Sequence, residues 1–358
     1  MPVRRFSGAS LVLVLTLSAL AGGESGTLPT DAAPAAAGSA DDRIRHVLVI
    51  SVDGLNPAAL VRIGPEGVPG FTRLRREGAS TCAARTAVER TTTLPNHTGM
   101  LTGRRVDRPT GGHVVWFNDD NGRTVHHAAR EYVAGAFGVV HDRGLRTGLF
   151  TSKRKFEFHD RTWNAWNGRR DRVGANNGRD KIGRYTYRAN SRTVVELLRT
   201  ELRSRPRAFT FLHLADPDAA GHEYGFMSPE YLSAVRRVDI LIADIRATIR
   251  NDDRLRRHTL LVVTSDHGGL PGARNHTDPT RFHNYRIPFF VAGPGVPWGR
   301  DLYAMNPFFE APGTGRPGYA GKQPIRNAVV ANLVTDVLDL PVVPGSELNR
   351  RQGFNVFG

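Results

Sequence analysis

The sequence has one cysteine, Cys82, so no disulfide can form within a single chain. Lysine is nearly absent as well: Lys153, Lys155, Lys181 and Lys322 are the only four, leaving 45 of the 49 basic residues as arginine. The formal charge of +15 is thus an arginine charge. It is scattered along the chain rather than gathered in a basic tail, which argues against a nucleic-acid polymer as partner. GC-rich coding would produce it, and so would a need to attract small anions. Apolar residues make up 40% of the chain, an ordinary globular share that excludes disorder as the default. No internal repeat is present.

The only segment resembling a targeting signal lies at the start. In "MPVRRFSGASLVLVLTLSALAGG", Arg4 and Arg5 precede an apolar run and an Ala19-Leu20-Ala21 cleavage pattern, the arrangement of a secretory signal over residues 1–21. The run is too short for a membrane span, so none is expected in the mature chain. Gly23 stands where a lipoprotein would need cysteine, which excludes a lipid anchor by that route. Residues 22–42, "GGESGTLPTDAAPAAAGSADD", read as a flexible linker. A secreted or extracytoplasmic protein with one catalytic domain over residues 43–358 is expected.

Folded sequence begins at "RHVLVISVDGLN", a continuous β-rich run ending in a turn, as in a buried parallel strand. "LRTGLFTSK", "RAFTFLHLADPD", "HTLLVVTSDHGG" and "IPFFVAGPG" repeat the design. Between them lie helical patterns. The clearest starts at the capping pair Ser228-Pro229, with Leu232, Val235, Val238, Ile242, Ile245 and Ile249 on one face. "NSRTVVELLRTELRS" and "PIRNAVVANLVTDVLDL" are two more. This alternation predicts an α/β fold, a mostly parallel central sheet with helices on both faces. Residues 156–190, rich in Arg, Asn, Gly and Trp, read as a long surface excursion.

In open α/β sheets ligands bind beyond the carboxyl ends of the strands. Four strands here end in charged or metal-binding residues: Asp53; Lys153; Asp216 and Asp218; Asp266 with His267. A single carboxylate there is ordinarily a helix cap. The joint pattern is harder to dismiss. "PDAAGH" sets Asp218 and His222 four apart, and "SDHGG" sets Asp266 beside His267 before a tight turn. Asp and His together suit zinc. His213, in mid-strand, reads as core, and Asp216 either orients a ligand histidine or caps a turn.

Taken in order, "VISVDG", "TLPNH", "PDAAGH", "TSDHGG" and "VTDVLDLP" resemble the alkaline phosphatase superfamily, in its branch of type I phosphodiesterases and nucleotide pyrophosphatases. The matching pieces span residues 46–341. The resemblance implies an alkaline-phosphatase-like fold, two zinc ions (other divalent ions being open), and a threonine that carries the phosphoryl group. By position, Asp53, Asp266, His267 and Thr93 would hold one ion, and Asp218, His222 and a third histidine the other. That histidine is expected further downstream; here it falls to His276, with His283 as alternative. Thr93 directly precedes Leu-Pro-Asn-His and takes the nucleophile's place, with Thr91 and Thr92 structural. The resemblance gives Asn96 a hydrogen bond to a nonbridging phosphate oxygen. His97 is read as structural or supporting.

A threonine hydroxyl needs a metal or base to act at neutral pH, and a helix starting near Pro95 would add its positive end beneath a phosphate. Two zinc ions against Asp53, Asp218 and Asp266 leave one positive charge in excess, suited to a small anionic phosphate ester. Lys153 and Lys155, like a Lys-x-Lys in phosphonoacetate hydrolases of the superfamily, form either a second substrate-binding anion site or a solvated turn. "GGHVVWFNDDNGR" is expected in the pocket wall, with Trp116 or Phe117 stacking on a base or lying in the core. The expected activity is hydrolysis of phosphodiester or pyrophosphate bonds. The alternatives are a phosphomonoesterase or phosphonate hydrolase on the same site and, outside enzymes, a secreted zinc-containing binding protein. A sulfatase would need Cys or Ser in a Cys/Ser-x-Pro-x-Arg context, which position 93 does not offer.

Overall fold

The computed structural model describes residues 43–107, 111–171 and 178–358. The expected signal (1–21) and linker (22–42) lie outside the described residues. Among those described, no helix is long and apolar enough to cross a membrane.

Among the described residues, eight strands form one sheet: β1 His46–Val52, β2 Ala79–Arg85, β3 Thr147–Thr151, β4 Tyr185–Tyr187, β5 Phe209–Leu214, β6 Thr259–Thr264, β7 Arg286–Ala292 and β8 Arg300–Asp301. Their order is β4-β3-β5-β1-β6-β7-β2-β8. All pairings are parallel except those of β7, which runs antiparallel to both β6 and β2. The expected mostly parallel sheet is therefore present, with the "IPFFVAGPG" strand reversed.

The strands sort their side chains by the two-residue period. Val47 and Val49 of β1, Phe209 and Phe211 of β5, and Leu260 and Val262 of β6 enter one core, together with Leu94, Met100, Phe137 and Leu333. Leu48, Ile50, Leu212, Leu214, Leu261 and Val263 enter the other, with Phe71, Leu198, Val235 and Ile242. Helices thus cover both faces, and both faces of the central strands are apolar. The helix Pro229–Arg250 begins as its sequence predicts: Ser228 Oγ accepts from the Tyr231 backbone N–H at 3.2 Å and proline occupies the first turn. Asn190 caps Ser191–Ser204 the same way.

The expected surface excursion over 156–190 is corrected in its described part. Phe156, Phe158 and Trp163 are fully buried, and Trp163 Nε1 donates to the Val133 carbonyl at 3.0 Å. Lys181 is also fully buried, with its ammonium 2.7 Å from Asp171 and 2.8 Å from Asp142. The helix Glu157–Trp163 and edge strand β4 anchor part of this stretch in the core, while Trp166, 84% exposed, keeps to the surface as expected.

Candidate metal centre

Register brings the site together. Ser51 on β1 lies opposite His213 on β5 and Thr264 on β6, and Thr151 on β3 lies opposite His213. The residues that follow these four positions all emerge at one edge. Asp53 N donates to Leu214 O at 2.9 Å, and Asp218 N to Asp53 O at 3.1 Å. Gly54 makes the turn at φ +70°, where a Cβ would stand 3.1 Å from Asp218 Cα, so only glycine suits both the backbone and the space. Its N–H donates to Asp266 Oδ1 at 3.1 Å.

Two ligand groups result, Asp53, Asp266 and His267 in one and Asp218, His267 and His276 in the other, with ligand atoms within 4.8 Å of one another in each. His267 Nε2 lies 3.3 Å from Asp53 Oδ1, 3.3 Å from Asp266 Oδ2 and 3.8 Å from Asp218 Oδ1. His222 joins the second group: its Nε2 is 3.4 Å from Asp218 Oδ1 and 3.2 Å from His276 Nε2. The structure therefore gathers all six Asp and His residues assigned from the sequence. His283 stands apart, its Nδ1 3.5 Å from the Asn56 side-chain amide.

The donor set fits a divalent cation. Asp53 Oδ1, Asp218 Oδ1, Asp266 Oδ2 and His267 Nε2 are buried without a hydrogen-bond partner. Leaving one such atom unpaired costs about 1–3 kcal/mol, and four converge here. The three histidines are pre-oriented: Nδ1 faces a backbone carbonyl in His222 (Arg274, 2.7 Å), His267 (Gly268, 2.8 Å) and His276 (Thr91, 2.6 Å). A ring nitrogen facing a carbonyl holds the proton, so each Nε2 turns its free position toward the carboxylates. Imidazole with carboxylate is a zinc donor set.

The electrostatics of the metal-free site point the same way. Burial alone would raise the Asp53 carboxyl, but the Lys153 ammonium, a hydrogen bond from His213 and the nearby His267 ring hold it well below its usual range. Burial and then repulsion from Asp53 push Asp266 up to about 8. Burial disfavours a charged His267, yet the three carboxylates overcome it and push the ring up to about 9. His276, lowered to about 3 by burial and by His267, stays neutral. Lys153 and the protons kept on Asp266 and His267 thus offset the carboxylate charge that a divalent cation would otherwise balance.

Thr93 opens the helix Thr93–Thr102. Its neighbours tie it to the cluster: the Thr91 carbonyl holds His276, and His97 Nδ1 meets Thr93 O at 2.7 Å while lying 3.6 Å from Asp266 Oδ2. The three threonine hydroxyls differ. Thr91 Oγ1 donates to His276 O at 2.5 Å, whereas Thr92 Oγ1 is sealed from solvent with no partner. Thr93 Oγ1 has neither a hydrogen bond nor that seal among the described residues. His97 Nε2 pairs with Ser51 Oγ at 2.8 Å, a supporting placement.

Asn96 has its amide engaged by the protein. Nδ2 donates to Arg90 O (2.8 Å) and Thr92 O (3.1 Å), and Oδ1 accepts from Ala87 N (2.9 Å) and Asn327 Nδ2 (3.2 Å). Asn118, which sequence reasoning passed over, accepts from Leu94 N at 3.1 Å and leaves Nδ2 without a protein partner among the described residues. Lys155 is tied to that loop, 2.6 Å from Asn118 O and 3.4 Å from Asp119, and Lys153 lies within the carboxylate cluster. Phe117 packs inward on Phe158, while Trp116 faces outward with the Arg90 guanidinium 5.3 Å above its ring. His213 does more than fill core: its Nε2 meets Asp53 Oδ2 at 2.8 Å. A histidine at an inward position of the apolar strand "FLHL" was the available signal. Asp216 accepts from Ser191 Oγ at its helix start, and none of its described contacts is with a ligand histidine.

Comparison with known proteins adds the following. Residues 47–285 match the family model described as type I phosphodiesterase / nucleotide pyrophosphatase. Ectonucleotide pyrophosphatase/phosphodiesterase family member 7 of Rattus norvegicus is 26% identical over 210 residues, covering 54% of this chain and 44% of the rat protein. Family member 1 of Homo sapiens is 34% identical over 80 residues, 22% of this chain and 8% of that one. The chain thus aligns with less than half the length of these relatives. Among solved structures, an inactive variant of murine ectonucleotide pyrophosphatase/phosphodiesterase 5 in complex with AMP superposes with a TM-score of 0.59 at 14% identity, covering 88% of this chain and all of that one. A 2-O glycosaminoglycan sulfatase does so with a TM-score of 0.54 at 11% identity, over 84% and 72%. At such identities the likeness is one of fold, shared by hydrolases of different esters.

Proposed function

The chain belongs to the type I phosphodiesterase / nucleotide pyrophosphatase family, and from that premise we propose that it is a two-zinc hydrolase of phosphodiester or pyrophosphate bonds acting through Thr93. The observation that carries the proposal is the convergence of four unpartnered buried ligand atoms at a cluster to which His97 links the Thr93 backbone. Asp53, Asp266 and His267 would hold one ion and Asp218, His222 and His276 the other, with Thr93 beside the first. Bound zinc supplies positive charge that lowers the pKa of a nearby oxygen and steadies a leaving oxyanion.

The chain's own residues do the rest. The positive end of the helix that opens at Thr93 favours a phosphate there. Thr93 Oγ1 attacks phosphorus and the bond to the leaving oxygen breaks. Water then cleaves the phosphothreonine and restores the hydroxyl. Asn118, with Nδ2 open beside the Leu94 N–H, is better placed than Asn96 to donate to a nonbridging oxygen. Asn118→Ala is expected to lower kcat by about 10²-fold or more, as loss of an oxyanion donor does. Asn96→Ala is expected to lower stability by about 1–3 kcal/mol instead, since it orphans its buried partners. Thermal melts and turnover measured side by side separate the two.

The outward face of Trp116 can receive a nucleobase, and AMP in the murine complex makes a nucleotide-bearing ester the natural first substrate to try. Export through residues 1–21 belongs to the same proposal. One observation favours a second reading. Counting Lys153 with two zinc ions and three carboxylates leaves an excess of two charges, which suits a doubly charged monoester or phosphonate. Zinc-loaded protein assayed on bis(p-nitrophenyl) phosphate beside p-nitrophenyl phosphate decides between them. Faster diester turnover is expected; faster monoester turnover would move the function to a phosphatase.

A further inference from the structure

We infer that Lys153 is a positioning residue that clamps Asp53 and Asp218, one carboxylate from each metal-ligand group, so that each offers a single oxygen to its ion. The inference rests on the two-metal reading of the site. Lys153 Nζ stands 2.7 Å from Asp53 Oδ2 and 2.5 Å from Asp218 Oδ2. The other oxygen of each carboxylate, Oδ1, is the one buried without a partner. One cation therefore takes the outer oxygen of both ligands and leaves the inner oxygen of both exposed to the centre. His213 shares the Asp53 outer oxygen from the opposite strand, and Gly54 N–H does for Asp266 what Lys153 does for the other two.

The clamp is built to hold its position. Lys153 leaves β3 through a turn in which its N–H donates to Thr151 Oγ1 at 3.0 Å and Thr151 Oγ1 donates back to Lys153 O at 3.1 Å. Its side chain is 22% exposed, while those of Asp53 and Asp218 are 0% and 2% exposed, so the ion pairs lie away from bulk screening. A carboxylate with both oxygens free can close on a metal through both. Each extra bond would take a coordination position that a catalytic zinc keeps for substrate or nucleophile. By engaging one oxygen of each ligand, Lys153 preserves those positions at both ions together. A lysine acting only on substrate would have no reason to touch one ligand of each group.

The test loads the full chain, wild type, Lys153→Met and Lys153→Arg, with two equivalents of cobalt(II) and records the visible absorption. Four-coordinate cobalt absorbs far more strongly than six-coordinate cobalt. The wild type is expected to show intense bands. In Lys153→Met they are expected to weaken by at least about twofold at unchanged stoichiometry, with both equivalents affected, as coordination numbers rise. Lys153→Arg, which keeps the charge and presents paired donors, is expected to restore them. An unaltered Lys153→Met spectrum accompanied by a raised KM would overturn the clamp and make Lys153 a substrate contact. Should Lys153→Met take up no cobalt while Lys153→Arg binds two equivalents with the wild-type spectrum, the clamp is supported; loss of one ion alone overturns it. A wild type that binds fewer than two equivalents would instead sink the reading of the site on which the inference rests.

Discussion

Thr93→Ala is expected to lower kcat for phosphate-ester hydrolysis by about three orders of magnitude or more, the scale seen when a nucleophile is removed, while the protein still binds two equivalents of metal. The six Asp and His ligands are untouched by the substitution, and Thr93 Oγ1 makes no hydrogen bond within the described structure whose loss would disturb them. The neighbouring threonines provide the control. Thr91→Ala removes the donor to His276 O and loosens a ligand, so it is expected to weaken metal binding. Thr92→Ala removes a sealed, unpartnered hydroxyl and is expected to leave turnover near wild type. Single-turnover assays with metal analysis of each variant check the set. Full activity in Thr93→Ala, or its loss in Thr92→Ala, would move the nucleophile elsewhere.

Stripping the metal is expected to produce a protein whose stability falls as pH rises from about 6.5 to about 9. In the metal-free fold Asp266 is pushed up to about 8 and His267 to about 9, from ordinary values of 3.8 and 6.5. Across this window the folded chain holds protons that the unfolded chain has released, so raising the pH favours unfolding. Each such proton is worth up to about 1.4 kcal/mol per pH unit. Asp53, held low in the fold, is ionised in both states here and adds no slope. His276, lowered to about 3, is neutral in both states above its ordinary value of 6.5 and adds none either. Saturating zinc takes the place of both protons, so the slope should flatten. It should also add about 4 kcal/mol for each bound ion when zinc exceeds its Kd a thousandfold. Melting temperatures with chelator and with zinc, between pH 6.5 and 9, give both curves. A metal-free protein whose melting temperature is level or rises over that range would contradict the electrostatic account.

The strands that carry the site were legible because each is a buried apolar parallel run closed by a charged residue or histidine. Their pairing was not. The small residues of "ASTCAAR" conceal β2, and the antiparallel course of β7 depends on where β2 and β6 lie. Asp53, Asp218, His222, Asp266 and His267 stood out by residue type and spacing near strand ends, whereas their grouping and the choice of His276 came from the family resemblance. The residues that orient them did not stand out, because a hydrogen bond across 160 positions, as between His213 and Asp53, depends on register alone. Asn118 escaped for the same reason, and Lys153, singled out as a substrate contact, could not be seen to face Asp53 and Asp218 instead. The stretch 156–190 misled through composition, since Phe156, Phe158 and Trp163 are buried among residues that average as polar.

The strand order also sets a timetable for the newly made chain. β1 is the first of the described strands to be synthesised and lies between β5 and β6, so both its neighbours are encoded more than 150 residues later. Until Phe209–Leu214 and Thr259–Thr264 exist, an apolar ribbon with both edges open has nothing in the sheet to pair with. Such long-range parallel closure is slow and leaves sticky intermediates exposed. The ligands follow the same calendar: Asp53 waits for Asp218, Asp266 and His276. Truncated chains ending before residue 264 should therefore aggregate and bind no metal, and metal uptake during refolding becomes a clock for the last step of sheet assembly rather than the first.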